Sequence, residues 1–391
     1  MNSMDLDRAN HWVLRKQHLT VDSETDDILQ IVSDVGGLHA TSPTTPYLSL
    51  LARCHDFEKK HLADALYVKK SLGKVRCVRK TIYILTKEMM PIAYGATSRT
   101  VEKASRRYAE FRGVSPKEYG DVSQAIVAML GGEGMTASAI KKALKTQLDV
   151  SAILYLMCDQ GLLVREEPEK GWKDKNHRYS LFSEFFPDVD LGSMDETEAM
   201  TRLVQQYLRS FGPVTENDIV WWTGLGKRKV RAALSRLQEQ IVPLGISGIE
   251  GDFVLLRSEV SLVNHSSARQ RPTVNLLPSL DPYLMGYKER ERYLEHRRCS
   301  YVFDRSGNAT STILLDGRVV GVWDFRQDEA PVVKLFLFEK VEPDLLEDIY
   351  AVARRVGRFV AGGEVQVQEC HAMVPLTKRS AGSVMSPLKD C

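Results

Sequence analysis

The chain has 391 residues, 43% of them hydrophobic and 27% charged, with a formal net charge of +2. That length allows for a few domains at roughly 100–200 residues each, and the apolar share is that of a chain with packed cores. No apolar run approaches the roughly 20 residues that span a bilayer, the opening MNSMDLDRAN is too polar for a secretory signal, and so balanced a charge leaves any nucleic-acid surface to local clusters of Lys and Arg.

The cysteines at 54, 77, 158, 299, 370 and 391 are scattered with no CxxC pair. That usage reads as reduced thiols in a cytoplasmic protein, with no metal site.

From residue 25 onward one plan recurs: helices joined by a turn, then a β-hairpin. In the first copy TDDILQIVSDVGG (25–37) and TPYLSLLARCHDF (45–57) read as helices, followed by EKKHLADALYVKKS (58–71). KVRCVR (74–79) and TIYILT (81–86) form its hairpin, and VEKASRRYAEFRG (101–113) adds a basic helix. In the second copy DVSQAIVAMLGGEG (121–134), MTASAIKKALKTQ (135–147) with Thr136 as N-cap, and DVSAILYLMCDQGLL (149–163) are helices. Residues 163–182 are a hairpin with a polar, basic tip.

The third copy is the clearest. Residues 197–212 carry Met200, Leu203, Val204, Tyr207 and Leu208 at helical spacing. Residues 214–225 start at Thr215, with Asp218 placed for a capping box. KRKVRAALSRLQEQ (227–240) is a basic amphipathic helix, and 241–256 are two strands about a Gly-rich turn. Trp221 and Trp222 are expected in the core of this copy.

After residue 269 the chain turns β-rich. Asp316-Gly317 marks a hairpin, 342–360 is a helix, and 364–374 is a last strand. The fold class is therefore α+β: tandem winged helix-turn-helix units followed by a barrel-like β domain. The units span 1–118, 119–192 and 193–268, the β-rich domain 269–376 and a flexible tail 377–391. One helix-turn-helix pattern is common in proteins that never touch DNA; three in tandem favour nucleic acid.

Five stretches carry a resemblance: GGLHATSPTTPYLSLLAR (36–53), VRKTIYIL (78–85), FGPVTENDIVWWTGL (211–225), LLPSLDPYLMGYKER (276–290) and LLDGRVVGVWDF (314–325). Together they resemble the AlkZ/YcaQ family of crosslink-repair DNA glycosylases, over about residues 25–330. In that family a Q-x-Q or Q-x-D triplet follows the Gly-Leu pair and holds the catalytic polar residues. Here the triplet is His39-Ala40-Thr41, the mark of a divergent member.

Base excision breaks the bond between a damaged base and deoxyribose, and the sugar gains oxocarbenium character as that bond stretches. Purines alkylated at N3 or N7 already carry positive charge and leave without much acid catalysis. What remains is to hold a water at the anomeric carbon. His39 and Thr41 suit that role as imidazole and hydroxyl. Alternatively, Thr41 or Ser42 only caps a helix starting near Pro43. The resemblance brings Asp281 near the cleft, to oppose the sugar cation or orient His39; as an Asp-Pro pair it also reads as a turn. Tyr283 and Tyr287 are candidates to stack on a base, or core residues. Arg290, Arg79, Lys80, Ser42 and the helix start Lys227-Arg228-Lys229 are candidate DNA contacts, with a solvated cationic surface as the plain alternative.

The expected function is a monofunctional, cofactor-free DNA glycosylase acting as a monomer on damaged double-stranded DNA, in the cytoplasm with the nucleoid. No lysine stands in the triplet to make a Schiff base, so a coupled lyase is not expected. The competing reading is a non-enzymatic DNA-binding regulator or damage-shielding factor. No Walker loop, H-E-x-x-H or G-x-S-x-G motif points to other chemistry.

Overall fold

The computed structural model describes residues 3–174, 176–264, 272–327, 330–378 and 386–388. Helix and sheet alternate along it, and three small sheets repeat one strand order. Each pairs a short strand with the second strand of a hairpin, which pairs in turn with the first. The first sheet is Leu38–His39, Ile82–Thr86 and Leu72–Arg76. The second is Met135–Thr136, His177–Leu181 and Leu163–Pro168. The third is Val214–Thr215, Phe253–Leu256 and Ile241–Ser247.

Local signals start and stop the helices between these strands. Asp195 accepts from the Thr197 and Glu198 amides at the head of Glu196–Phe211. Thr215 and Asp218 form a reciprocal capping box on Glu216–Thr223, which Gly224 ends in the left-handed region. Thr136 caps Ala137–Leu144.

Several boundaries differ from expectation. Ile28–Asp34 and Thr45–Leu51 are shorter helices than 25–37 and 45–57. Lys59–Ala63 runs on into a wider π-type turn, Asp64–Val68. The basic segment at 101–113 is the end of a 23-residue helix, Met89–Phe111, leading from the first unit into the second. Ser3–Asp5 is a strand and Leu6–Lys16 a helix; the strand pairs in parallel with Ile241–Ser247. The N-terminus thus sits with the third unit although it precedes the first. Nothing local in a three-residue strand announces so distant a partner.

The C-terminal part is an open five-stranded sheet in chain order: Val274–Leu277, Thr312–Leu315, Arg318–Gln327, Pro331–Leu337 and Gln366–Glu369. Its first and last strands are not paired, so the expected barrel does not close. The reason lies in the helix Pro343–Ala361, which covers one face and makes the last pairing parallel. The boundary expected at 268–269 and most of the tail at 377–391 lie outside the described residues. Met373 bridges Leu388, so the chain end returns to the fold there. Cys54, Cys77, Cys158 and Cys299 are free thiols, but Cys370 is disulfide-bonded, unlike the all-reduced expectation. Among the described residues no helix is long and apolar enough to cross a membrane.

The units share their cores. One cluster includes Val13, Tyr83, Leu203, Trp222, Tyr283 and Leu314. A second joins Leu38, Leu50 and Ile84 to Trp323, Leu335 and Ile349 of the C-terminal sheet and helix. Between them Arg53, at the end of Thr45–Leu51, meets Asp281 in full burial. Arg53 donates from Nη1 to Asp281 Oδ2 and from Nη2 to Oδ1, both at 2.8 Å. Ser49 Oγ adds a third bond to Oδ2, at 2.8 Å, and the Tyr283 amide a fourth to Oδ1, at 3.0 Å.

Removing one member of a buried ion pair strands the other charge and costs about 3–5 kcal/mol. Arg53→Met is therefore expected to lower stability by that order in chemical denaturation. Arg53→Met with Asp281→Leu should recover part of the loss. A loss under about 1 kcal/mol in the single variant would contradict the role assigned to the pair.

Candidate active site

The GGLHATS stretch begins with Gly36 and Gly37, at φ +72° and +100°. A Cβ on Gly37 would meet Leu85 Cδ2 at 2.6 Å and the Ile84 carbonyl at 3.1 Å. Only glycine lets the chain enter the strand so close to its partner. Leu38 and His39 then pair with Ile84 and Tyr83, and the Ala40 amide donates to the Ile82 carbonyl at 2.7 Å. There the strand ends, and the helix starts at Thr45 with Thr44 as its N-cap. Thr41 and Ser42 therefore do not cap it. Ser42 is half-buried, with its hydroxyl 3.3 Å from that of Thr44.

This break separates the two expected catalytic groups. Cross-strand partners share a face, so His39 lies with Tyr83, ring centroids 5.3 Å apart. It is 4% exposed. Thr41, past the last strand residue, is exposed and lines a cleft on the opposite face. The two do not flank one water. They touch through the backbone: the Thr41 N–H donates to His39 Nδ1 at 3.4 Å. That bond leaves the His39 proton on Nε2. Burial, and then the charge of Arg79, pushes the His39 pKa down to about 4. His39 is thus a buried, neutral group that accepts from the Thr41 backbone and lies off the cleft.

The cleft has a volume of about 510 Å³. Its floor is the outer face of the first sheet, and its far wall is the hairpin of the second unit. Alternation along Leu72–Arg76 puts Lys74 and Arg76 on the cleft side, while Val75 joins the core behind. Lys80 and Arg165 add further positive charge, and Asp174 opposes it. Tyr47, Tyr67, Tyr108, Tyr155, Trp172 and Tyr179 supply aromatic walls. Trp172, near the hairpin tip, packs edge-on against Tyr47 at 5.0 Å and against Phe359 at 5.8 Å. The hairpin is thereby docked on the C-terminal helix. Burial, then Glu167, raises Tyr47 to about 12, so its hydroxyl stays protonated.

Three titratable groups of the cleft are set by their partners. Lys74 Nζ donates to Tyr67 Oη at 2.7 Å and has no carboxylate partner among the described residues. Arg76 is paired with buried Asp159 at 3.0 Å, which also accepts from Ser105. His177 Nδ1 lies 3.1 Å from the Glu166 carbonyl. A carbonyl only accepts, so Nδ1 carries the proton and Nε2 the lone pair. Burial first, then Lys74 and Arg165, lowers the His177 pKa to about 4.

The other expected site residues lie elsewhere. Asp281 is consumed by Arg53 and does not reach the cleft. LLPSLDPYL is a buttress: Thr45 Oγ1 donates to the Ser279 carbonyl at 2.9 Å beneath the same helix. Tyr283 and Tyr287 are buried, with hydroxyls bonded to the Gly317 and Phe211 carbonyls. They are core residues, not stacking platforms. Arg79 and Arg290 hold Trp221 at the junction of the first unit, the third unit and the C-terminal part. Their guanidinium carbons lie 4.1 and 5.8 Å from its ring centroid, and Arg290 is 3.5 Å from that of Phe303. Trp221 is thus half-buried, whereas Trp222 is core as expected. Arg79 and Lys80 both take positive φ, 51° and 59°, in the hairpin turn. Lys227 and Lys229 pair with Glu216 and Glu196, at 3.2 and 2.8 Å, while Arg228 is exposed with no such partner among the described residues.

Sequence reasoning missed Lys74, Tyr67, Arg165, Trp172 and His177. The available signals were the cations alternating in KVRCVR and the lone tryptophan in the basic hairpin tip EKGWKDKNHRY.

The sequence model of the DNA glycosylase AlkZ-like family matches residues 32–359, and the chain belongs to that family. One relative is the interstrand DNA cross-link repair glycosylase of Streptomyces sahachiroi. It is 23% identical over 280 residues, 67% of this chain and 72% of that one. The solved structure of Streptomyces sahachiroi DNA glycosylase AlkZ is similar at a TM-score of 0.75 and 18% identity, covering 94% of this chain and 100% of that one. At that identity the likeness speaks for the fold.

Because His39 folds in neutral, the native state binds fewer protons than the unfolded chain between about pH 6.5 and 4. Stability is lost as pH falls through that window. His39→Gln is expected to flatten the fall between pH 6.5 and 4.5 in urea titrations, leaving the share that belongs to His177. An unchanged slope would contradict the burial of a neutral imidazole.

Proposed function

We propose that this chain is a DNA glycosylase that hydrolyses the N-glycosidic bond of N3- or N7-alkylated purines, or of crosslink adducts, in double-stranded DNA. The observation that carries this reading is the cationic, aromatic cleft at the end of the Gly-Leu-His-Ala-Thr strand, in a chain of the AlkZ-like family. The recurring three-helix and hairpin units are, in this reading, winged helices. Lys80, at the cleft, and exposed Arg228 supply phosphate contacts.

The chemistry asks little of the protein. A cationic purine leaves on its own positive charge, and the cleft supplies water and position. The Thr41 hydroxyl makes no hydrogen bond among the described residues and is exposed at the cleft. His177, on the facing wall, keeps a lone pair on Nε2 because Nδ1 is held by the Glu166 carbonyl. Together they orient and deprotonate the attacking water. His39 is a positioning residue that fixes Thr41 through its backbone. Aromatic walls stack the base. Asp281 contributes only by holding the helix behind the strand.

Chromatography of bases released from N7-alkylguanine and N3-alkyladenine duplexes tests excision. Release by the wild type is expected, with Thr41→Val and His177→Phe each slower by about 10²-fold, the low end for a lost general acid–base partner. No abasic sites over a range of adducts would overturn the reading. Full activity in both variants would move the site out of this cleft.

One observation favours the binding-only alternative: His39 and Asp281, two of the three expected catalytic groups, are sequestered. Both readings require duplex binding that is tolerant of sequence and weakened by salt. Lys80→Ala and Arg228→Ala should each reduce the salt dependence of binding by about one counterion. An unchanged slope in both would remove these residues from the interface.

A further inference from the structure

The cleft holds an amine that the excision step does not use. Lys74 Nζ lines it, is held by the Tyr67 hydroxyl at 2.7 Å and is tied to no carboxylate among the described residues. Lys227 and Lys229 on the third unit, by contrast, are paired with acids. His177 lines the same cleft, with Nδ1 engaged by the Glu166 carbonyl and the lone pair left on Nε2. Lys74 is near enough for its charge to depress the His177 pKa. An unpaired lysine and a neutral imidazole lining one cleft are the groups that carbonyl capture followed by proton abstraction needs.

We infer that Lys74 captures the aldehyde of an abasic deoxyribose as an imine, and that His177 drives strand scission from it by β-elimination. The inference rests on the excision reading, because that aldehyde is the ring-opened product of base removal. In the first step Nζ adds to C1′, and the carbonyl oxygen leaves as water when the C=N bond forms. His177 Nε2 then takes a proton from C2′. The electron pair of that C–H bond forms the C2′=C3′ bond, and C3′–O3′ breaks. The 3′ phosphate leaves with the bond's electron pair. Water finally hydrolyses the imine and returns the amine. No oxidant or reductant is consumed.

The electrostatics of the cleft suit this role. Burial first, and then the charge of Arg165, lowers the Lys74 pKa to about 8, against an opposing pull from Glu167. A substantial share of the amine is therefore neutral near pH 8, where an ordinary lysine is almost wholly charged. Arg76 and Lys80 line the same cleft and add positive charge to it, a field that suits flanking phosphates. A strand searched for lysines only at its own triplet hides this one, because Lys74 comes from the far edge of the sheet. It stands opposite Ile84, which stands opposite Leu38.

The test is reductive trapping. The full chain is mixed with a duplex carrying one natural abasic site, with sodium cyanoborohydride present. A covalent protein–DNA adduct is expected on a denaturing gel, with the crosslinked peptide mapping to Lys74. Lys74→Ala and Lys74→Arg should each lose at least tenfold of it, and the second keeps the charge and bulk of the site. Without hydride, strand nicking by the wild type should weaken as pH falls from 8.5 to 6.5. No adduct, or an adduct undiminished in Lys74→Arg and mapped to another amine, overturns the inference. Base release from alkylated duplex by the wild type is measured alongside. Release without trapping overturns the lysine reaction alone, and trapping without release overturns the excision reading alone.

Discussion

The buried pair of Arg53 and Asp281 fixes where everything at the site can be. It joins the short helix Thr45–Leu51 to the segment that opens the C-terminal part. Both charges are fully buried, and all four bonds to the carboxylate are made by groups held in the fold. Two charges in an apolar interior are tolerable only with such saturation. The strand end carrying Ala40 and Thr41 leads directly into that helix. Its direction, and hence the mouth of the cleft, is inherited from an ion pair that never meets solvent.

The first sheet then divides the molecule's polar groups between two faces. His39 and Tyr83 share the face toward Trp222 and the core of the third unit. Lys74, Arg76 and Ile82 share the other, facing the second unit. A triplet with polar first and third members would normally present both on one side, by the two-residue period of a strand. Here the strand ends after the first member, so the third turns to the opposite surface. The imidazole is left as a neutral hydrogen-bond acceptor for the backbone it precedes. The Thr41 hydroxyl, Lys74 and the histidine of the facing hairpin line the cleft instead.

Most of the local structure was legible in the residues. Thr215 and Asp218 announced a helix start, Asp316-Gly317 a hairpin, and the spacing of Leu203, Tyr207 and Leu208 a buried helical face. Each is a signal carried within a few residues. The unreadable parts depend on distant partners. Ser3–Asp5 makes sense only beside Ile241–Ser247, and the open C-terminal sheet only with the helix that covers it. Asp281 read as a turn or a catalytic acid because nothing nearby reveals Arg53. Lys74 and His177 belong to strands of different units and line one cleft only because Trp172 docks its hairpin against Tyr47 and Phe359.

In the proposed function a damaged nucleotide enters the cleft between the first sheet and the second unit's hairpin, not the opposite face where Arg79, Trp221 and Arg290 stack. Hydrogen–deuterium exchange on the protein with and without a duplex bearing a tetrahydrofuran abasic analogue tests it directly. Slowed exchange is expected at 40–43 and across the hairpin at 165–178. Protection confined to 221–225 and 304–308, with the hairpin exchanging as in the free protein, would overturn that placement.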